Sequence, residues 1–234
     1  MALKAVLFYP TDMNNMPFAP ALWFLPCFWL SNSIYALLDR VFGKRKWIPI
    51  FILTATGMAY SSLSDVMLPW CIEPMLVALF FMYVGEQIKE YKNTLYAWLE
   101  NWWVLIILLC MEAVMAFING SCDMRSARYH NCILYLINAV AGTLCYWGIS
   151  RKAIDIIPTN IINAICYLSI NSMVFLCTNQ VFISIFYKIM NKIPVANTVI
   201  LIISKFICLL FVLIACSGLN RLLLKNRFRF VIGR

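Results

Sequence analysis

The chain has 234 residues, of which 63% are hydrophobic and 12% are charged, and its mean hydropathy is +0.82. A soluble domain averages about 45–50% apolar and about 25% charged residues, so the composition excludes an ordinary soluble protein and indicates an integral membrane protein. The net charge of +9 would suggest nucleic-acid binding in a soluble chain. Here most of that charge lies in loops between apolar segments, where anionic lipid is the expected partner and no nucleic acid is expected.

Seven apolar segments predict an all-α, polytopic bundle of transmembrane helices that forms a single membrane domain over residues 1–234. They cover approximately residues 21–38, 47–63, 74–85, 98–118, 132–149, 161–187 and 198–218. A helix needs about 20 residues to cross the hydrocarbon core, so the third segment is short unless it continues through Glu86, Gln87 and Ile88. The sixth segment is long, and polar residues interrupt it at Asn171 and Ser172.

The Lys and Arg residues collect on alternate loops. Thirteen of the 19 lie in residues 39–46, 87–97 and 150–158 and in the tail after residue 220. Because basic loops stay cytoplasmic, this pattern predicts a multi-pass protein of the cytoplasmic (inner) membrane with its C-terminus inside. Seven spans then place the N-terminus outside, as expected if an odd number of spans were missing upstream.

The cysteines and the one histidine give no metal or redox motif. Most of the ten cysteines lie within apolar segments, where they act as small hydrophobic residues, and no CxxC spacing occurs. Cys71 and Cys122 lie in predicted outer loops, which allows a disulfide between them. His130 stands without a nearby set of ligands, so we expect no metal site.

Five sequence blocks follow one another along the chain. They read PALWFLP at residues 20–26, FFMYVG at 80–85, NGSCDM at 119–124, GT at 142–143 and SINSMVFLCTNQ at 169–180. In order and spacing they resemble the blocks plWFLp, FFxxG, nGxvDM, GT and GxnSlxilxxHq of the membrane acyltransferase-3 family. That family contains the multi-span O-acyltransferases of bacterial surface polysaccharides. The resemblance extends over roughly residues 22–187.

The resemblance implies an enzyme that transfers an acyl group, usually acetyl from acetyl-CoA, to a hydroxyl of a surface or carrier-linked sugar. Its partners would be the lipid bilayer, an acyl-CoA co-substrate and a carbohydrate acceptor, with no bound cofactor. The chain departs from the family pattern in two ways. It has seven spans where the family has ten, so it lacks the N-terminal spans that carry a basic residue and a histidine assigned to catalysis. Ser169 and Asn179 also replace the Gly and His of the last block, and these departures predict a partial or inactive chain.

Acyl transfer to a sugar hydroxyl needs a base, usually His or a tuned Asp or Glu, and donors for the developing oxyanion. Without the family histidine the catalytic set is unknown, and the candidates are Glu112 within the fourth segment and Asp123 just past it. For Asp123 the alternative is a loop turn built on Asn119 and Gly120. For Glu112 the alternatives are snorkelling and an inter-helix hydrogen bond.

The candidates for substrate binding are Trp23, Asn171, Asn179 and Lys205. Asn171 and Asn179 are eight residues apart and lie near one stripe of a helix, which should face the bundle interior because lipid offers no polar partners. Their alternative role is hydrogen bonding between helices, and for Trp23 it is helix packing.

Two acidic residues in or near apolar segments have possible basic partners. Lys205 could pair with Glu112 at a similar depth, contact an anionic carrier, or snorkel to the headgroups. Glu86 could be functional, but we expect it to pair with Lys89, three residues later on the same helix face.

A protein of a different class is the rival interpretation. The same segments could form a non-enzymatic membrane scaffold or a transporter-like bundle, which needs only satisfied polar groups and a packed interior. No inverted repeat with paired broken helices is evident in the sequence, which weakens the transporter version.

Overall fold

The computed structural model describes residues 23–64, 66–190 and 198–225. Within these ranges the regular structure is helical, and the only β-pairing is an isolated bridge between Asp123 and Arg128. The α-helices of the described residues are α1 Phe24–Phe42, α2 Trp47–Leu63, α3 Ile72–Glu90, α4 Lys92–Leu99, α5 Trp102–Asn119, α6 Cys132–Ile154, α7 Thr159–Ile170, α8 Ser172–Met190 and α9 Thr198–Lys225.

Several of these helices are long and apolar enough to cross a membrane. Among the described residues, four pass on length and composition, namely Pro69–Glu90, Trp102–Asn119, Cys132–Ile154 and Ser204–Leu222. The pair α7 and α8 makes a fifth if it is counted as one bent span. The predicted all-α, multi-pass membrane class is therefore confirmed, whereas the count of seven spans and the cytoplasmic C-terminus stay predictions.

Two of the predicted segments have different limits in the structure. The third does not stop at Gly85, because α3 continues to Glu90 and reaches 19 residues. The fourth does not begin at Trp98, because that residue belongs to a separate eight-residue helix, α4. A new helix then begins after Asn101, whose side chain accepts a hydrogen bond from the backbone N–H of Trp103 at 3.0 Å.

The polar interruption of the sixth segment is a sharp bend. Asn171 separates α7 from α8, and the two helices meet at 83°. The Nδ2 of Asn171 donates to the carbonyl of Tyr167 at 2.7 Å, and the Asn171 carbonyl in turn accepts from the N–H of Val174 at 3.0 Å. The side-chain amide and the backbone carbonyl of Asn171 thus both form hydrogen bonds where the chain changes direction.

The chain divides into two compact units, and the first contains α1 to α6. Here α3 packs against α1 and α2, and α5 packs against α6. The core between α1, α2 and α3 is built on Cys27, Leu38, Ile50, Met75 and Leu79. Gly57 permits the close approach of α2 to α3, because a Cβ at that position would lie 2.8 Å from the Cβ of Leu76.

The second unit contains α7 to α9. Phe186 of α8 packs against Cys208, Val212 and Cys216 of α9. A polar contact joins α9 to α7: the Nδ2 of the buried Asn220 donates to the Tyr167 hydroxyl at 2.8 Å. The expectation of a single membrane domain stays a prediction.

Cysteine residues are thiols throughout the described chain. The disulfide that the sequence allows between Cys71 and Cys122 does not form, since both residues are free. The Sγ of Cys71 lies 3.5 Å from the carbonyl oxygen of Trp23, and the Sγ of Cys122 lies 3.4 Å from that of Tyr129. Burial raises the pKa of the Cys122 thiol, and the neighbouring Cys132 adds to the effect, so a reactive thiolate is disfavoured.

Candidate functional site

Glu112 lies at the contact between α5 and α6. Its Oε1 is 3.1 Å from the point where a Cβ on Gly142 would lie, so the glycine of the GT block makes room for the carboxylate. Its Oε2 is buried and has no hydrogen-bond partner among the described residues. A buried carboxylate oxygen in this position needs a further hydrogen-bond donor, which keeps Glu112 a candidate without assigning it a reaction.

Asp123 closes a tight turn. Its backbone pairs with that of Arg128 through hydrogen bonds of 2.8 and 3.0 Å. Its Oδ1 accepts from the N–H of Arg125 at 3.0 Å, and its Oδ2 accepts from the hydroxyl of Ser126 at 2.7 Å. Both carboxylate oxygens therefore accept hydrogen bonds within a turn of residues 123–128, which does not include the Asn119 and Gly120 of the structural alternative.

The remaining predicted residues lie in different surroundings. Trp23 is half-buried against the core of the first unit, with its ring edge-on to that of Phe24. Asn171 is buried, and its Oδ1 has no hydrogen-bond partner among the described residues. Asn179 is half-buried on α8, and Lys205 is exposed on α9.

A polar cavity of about 300 Å³ opens at one end of the first unit, and we call it the Glu73 cavity. Four hydroxyl-bearing side chains line it together with one acid and one base: Tyr60, Ser61, Ser64, Ser126, Glu73 and Arg128. A second cavity of about 310 Å³ shares Ser61 and Arg128 and reaches His130. Hydroxyls beside a carboxylate and a guanidinium are suited to bind a polyhydroxylated molecule.

Glu73 is the acidic group of this cavity. It lies in the first turn of α3, where the helix dipole favours a negative charge, and only 4% of it is exposed. Its Oε1 accepts a short hydrogen bond from the backbone N–H of Leu68. Trp70 and Cys71, just before it, have φ values of 63° and 59°, in the left-handed region that non-glycine residues rarely adopt. Such strained turns cluster at functional sites.

Sequence reasoning missed Glu73 because the predicted third segment began at Pro74, which left the acid in a loop. The available signal was an acidic residue at the start of an apolar helix, where an ionisable group is costly unless it has a role. Its cavity neighbours come from α2 and from the loop after α5, so no local pattern connects them.

A buried cation lies at the opposite end of α2 and α3. The Nζ of Lys46 lies 2.7 Å from the Oδ1 of Asp39 and 2.6 Å from the nearer carboxylate oxygen of Glu86, whose carboxylate also accepts a short hydrogen bond from the Tyr35 hydroxyl. The expected Glu86–Lys89 pair is therefore wrong, because Glu86 is already paired with Lys46. Burial opposes the charge on Lys46, but the hydrogen bonds to Asp39 and Glu86 outweigh it and raise the pKa of Lys46.

An apolar crevice of about 370 Å³ separates α3 from α6 in the first unit. Phe81 and Gly85 of the FFMYVG block line it from α3. Tyr135 and Thr143 line it from α6, and Thr143 belongs to the GT block. Two blocks that are about 60 residues apart in sequence thus share one crevice.

No family model, curated protein or solved structure matches this chain. Any functional assignment therefore depends on the residues themselves. Among the described residues no group of three or more His, Cys, Asp or Glu could hold a metal ion. The arrangement best suited to bind and react with a ligand is the Glu73 cavity, which combines a buried carboxylate with hydroxyls and a guanidinium.

Proposed function

We propose that this chain is a membrane O-acyltransferase that esterifies a hydroxyl of a surface or carrier-linked sugar. The acyl group, usually acetyl, would come from an acyl-CoA. The basic loops favour a cytoplasmic Lys46 end and an extracytoplasmic Glu73 end in the cytoplasmic membrane of a bacterium. The proposal therefore requires that the thioester of a cytoplasmic acyl-CoA reach the Glu73 cavity through the helix bundle. The observation that carries the proposal is the Glu73 cavity, together with the acyltransferase-3 blocks in the sequence.

The cavity has the dimensions and groups of a site for one sugar unit. Its volume of about 300 Å³ lies at the lower end of the range for small-molecule sites. The hydroxyl hydrogens of Tyr60, Ser61 and Ser126 are donated to the carbonyls of Val66 and Met58 and to the carboxylate of Asp123, so the three hydroxyl oxygens are left to accept from a sugar. The guanidinium of Arg128 supplies charged donors for an oxygen that becomes negative during acyl transfer.

Glu73 is the proposed general base. Its carboxylate takes the proton of the acceptor hydroxyl while the sugar oxygen forms a bond to the acyl carbon. The bond between the acyl carbon and the sulfur of the donor thioester then breaks, and the leaving thiolate takes up the proton that Glu73 held. Glu73 returns to its ionised form, so the step needs no additional reagent.

The test is an acyl-transfer assay on the full chain in proteoliposomes, with radiolabelled acetyl-CoA and a panel of monosaccharides and oligosaccharides. Glu73→Gln keeps an oxygen that can accept from the Leu68 N–H but removes the base, so we expect the rate to fall about a hundredfold or more with unchanged thermal stability. Glu90→Gln is the matched control, because Glu90 is exposed at the other end of the same helix.

Two outcomes would contradict the proposal. An unchanged rate in Glu73→Gln would remove Glu73 from the chemistry. A wild-type chain that esterifies no acceptor would favour the non-enzymatic bundle, which needs the same helices without a reactive cavity.

A further inference from the structure

A separate polar cavity lies at the end of the first unit opposite the Glu73 cavity, where α4 meets the last turns of α6. It has a volume of about 310 Å³, and we call it the Arg151 cavity. Its polar and charged lining residues are Tyr96, Glu100, Arg151, Lys152 and Asp155. The proposed acyl transfer does not use it.

The cavity lies where a membrane interface is expected. α6 is one of the helices long and apolar enough to cross a membrane, and the cavity surrounds its C-terminal end. Three tryptophans beside it, Trp98, Trp102 and Trp103, are exposed by more than half of their surface. Exposed aromatic rings of this kind mark the headgroup level of a bilayer, so the cavity opens at the depth of the lipid headgroups.

Its two cations are held in position without being neutralised. The guanidinium of Arg151 stacks on Tyr96, with its Cζ 3.7 Å from the ring centroid. The Nζ of Lys152 donates to the backbone carbonyl of Glu100 at 2.6 Å and lies 4.7 Å from the centroid of Trp102. A stacked guanidinium keeps the N–H groups of its edge available, which suits it to bind a phosphate.

The cavity also contains two acids. Within the described residues, the ion pairs closer than 4.0 Å are those of Lys46, so neither Glu100 nor Asp155 is neutralised by a neighbouring cation. Asp155 follows the C-terminus of α6, where the helix dipole adds further negative potential. The lining is therefore balanced in charge, with two positive and two negative groups around one space.

We propose that the Arg151 cavity binds the headgroup of phosphatidylethanolamine, a zwitterionic phospholipid with a primary ammonium group. The phosphate contacts Arg151 and Lys152, and the ammonium contacts Asp155 and Glu100. An anionic lipid such as phosphatidylglycerol satisfies only the cations and leaves both carboxylates facing its headgroup. The charge balance thus selects a ligand with both charges, and the proposal does not depend on the acyltransferase assignment.

Native mass spectrometry of the full chain tests the proposal, with phosphatidylethanolamine and phosphatidylglycerol of identical acyl chains titrated separately. We expect the wild type to bind phosphatidylethanolamine about fivefold more tightly, since an exposed charge pair contributes up to about that factor. Asp155→Asn should reduce the preference by weakening phosphatidylethanolamine alone, because Glu100 still contacts the ammonium. Arg151→Gln should weaken both lipids by about fivefold.

Arg45→Gln is the matched control, because Arg45 is an exposed arginine that lies in another basic loop and does not line the cavity. It should change neither affinity. Equal binding of the two lipids by the wild type would overturn the proposal, as would equal losses in Arg45→Gln and Arg151→Gln. A third titration uses coenzyme A, a soluble source of phosphate. If it displaces phosphatidylethanolamine through Arg151 while Asp155→Asn has no effect, the cavity belongs to a soluble phosphate ligand instead.

Discussion

The two ends of α2 and α3 each contain a buried charged residue, but the groups around it differ. At one end, Lys46 is enclosed by Asp39, Glu86 and Tyr35, so its charge is compensated within the protein. At the other end, Glu73 accepts a backbone N–H and borders an open cavity with hydroxyls. Burial of a charge alone thus does not indicate chemistry, because the groups that the charge faces decide whether it stabilises the fold or can act on a ligand.

The largest expected effect on stability is at the Lys46 end of α2 and α3. Lys46→Met removes the cation and leaves two carboxylates close together, so we expect a loss of about 2–3 kcal/mol in unfolding free energy. This is below the roughly 3–5 kcal/mol for breaking a fully buried pair, because Asp39 and Glu86 stay partly exposed. Denaturant unfolding in detergent measures it, with the exposed Arg45→Met as control. Equal stability of the two variants would show that the cluster does not hold the helices together.

The raised pKa of Lys46 also predicts how the stabilisation by Lys46 depends on pH. Because the folded-state pKa of Lys46 is raised, its stabilisation is complete below the unfolded lysine pKa of about 10.4 and is lost as pH rises through the folded value. The stability difference between wild type and Lys46→Met should therefore stay constant from about pH 6 to about pH 9. A difference that shrinks within this window would mean that Lys46 is not held in its charged form.

A second prediction compares glycines at the two ends of the α2–α3 pair. A Cβ on Gly57 would lie 2.8 Å from the Cβ of Leu76 and 3.4 Å from the carbonyl oxygen of Glu73, whereas a Cβ on Gly85 meets nothing within 4 Å. Gly57→Ala should destabilise the protein by about 1–3 kcal/mol by separating the helices. Gly85→Ala should be neutral or stabilise by up to about 1 kcal/mol.

Thermal unfolding of both glycine variants in the same detergent gives the comparison. Gly57→Ala should also lower acyl transfer, because the displaced backbone carries Glu73. If the two variants lose the same stability, then the packing of α2 against α3 does not require a glycine at position 57.

Local patterns in the sequence predicted the helices better than the candidate site. The predicted and observed limits of α2 are both Trp47 and Leu63, because an apolar run between polar loops specifies a helix by itself. The bend at Asn171 was also signalled by local polarity. The Lys46–Glu86 pair joins residues 40 positions apart, and the Glu73 cavity combines α2, α3 and a loop beyond α5. Such arrangements depend on tertiary packing, which periodicity cannot reveal.

The smallest expected effect concerns two helix caps at opposite ends of the first unit. The Oδ1 of Asn131 accepts from the N–H groups of Ile133 and Leu134, both at 3.1 Å, and the N–H of Asn131 donates to the Oδ1 of Asn119 at 2.8 Å. Asn101 caps α5 by accepting one N–H.

We expect Asn131→Ala to cost about 1–2 kcal/mol and Asn101→Ala about 0.5 kcal/mol, because the first cap satisfies two backbone donors and the second satisfies one. Asn131 also follows the loop that supplies Ser126 and Arg128 to the Glu73 cavity, so fraying of α6 should raise the KM for the acceptor sugar. Asn101→Ala should leave KM unchanged. If both variants change KM equally, the loop that precedes α6 does not position Ser126 and Arg128 in the Glu73 cavity.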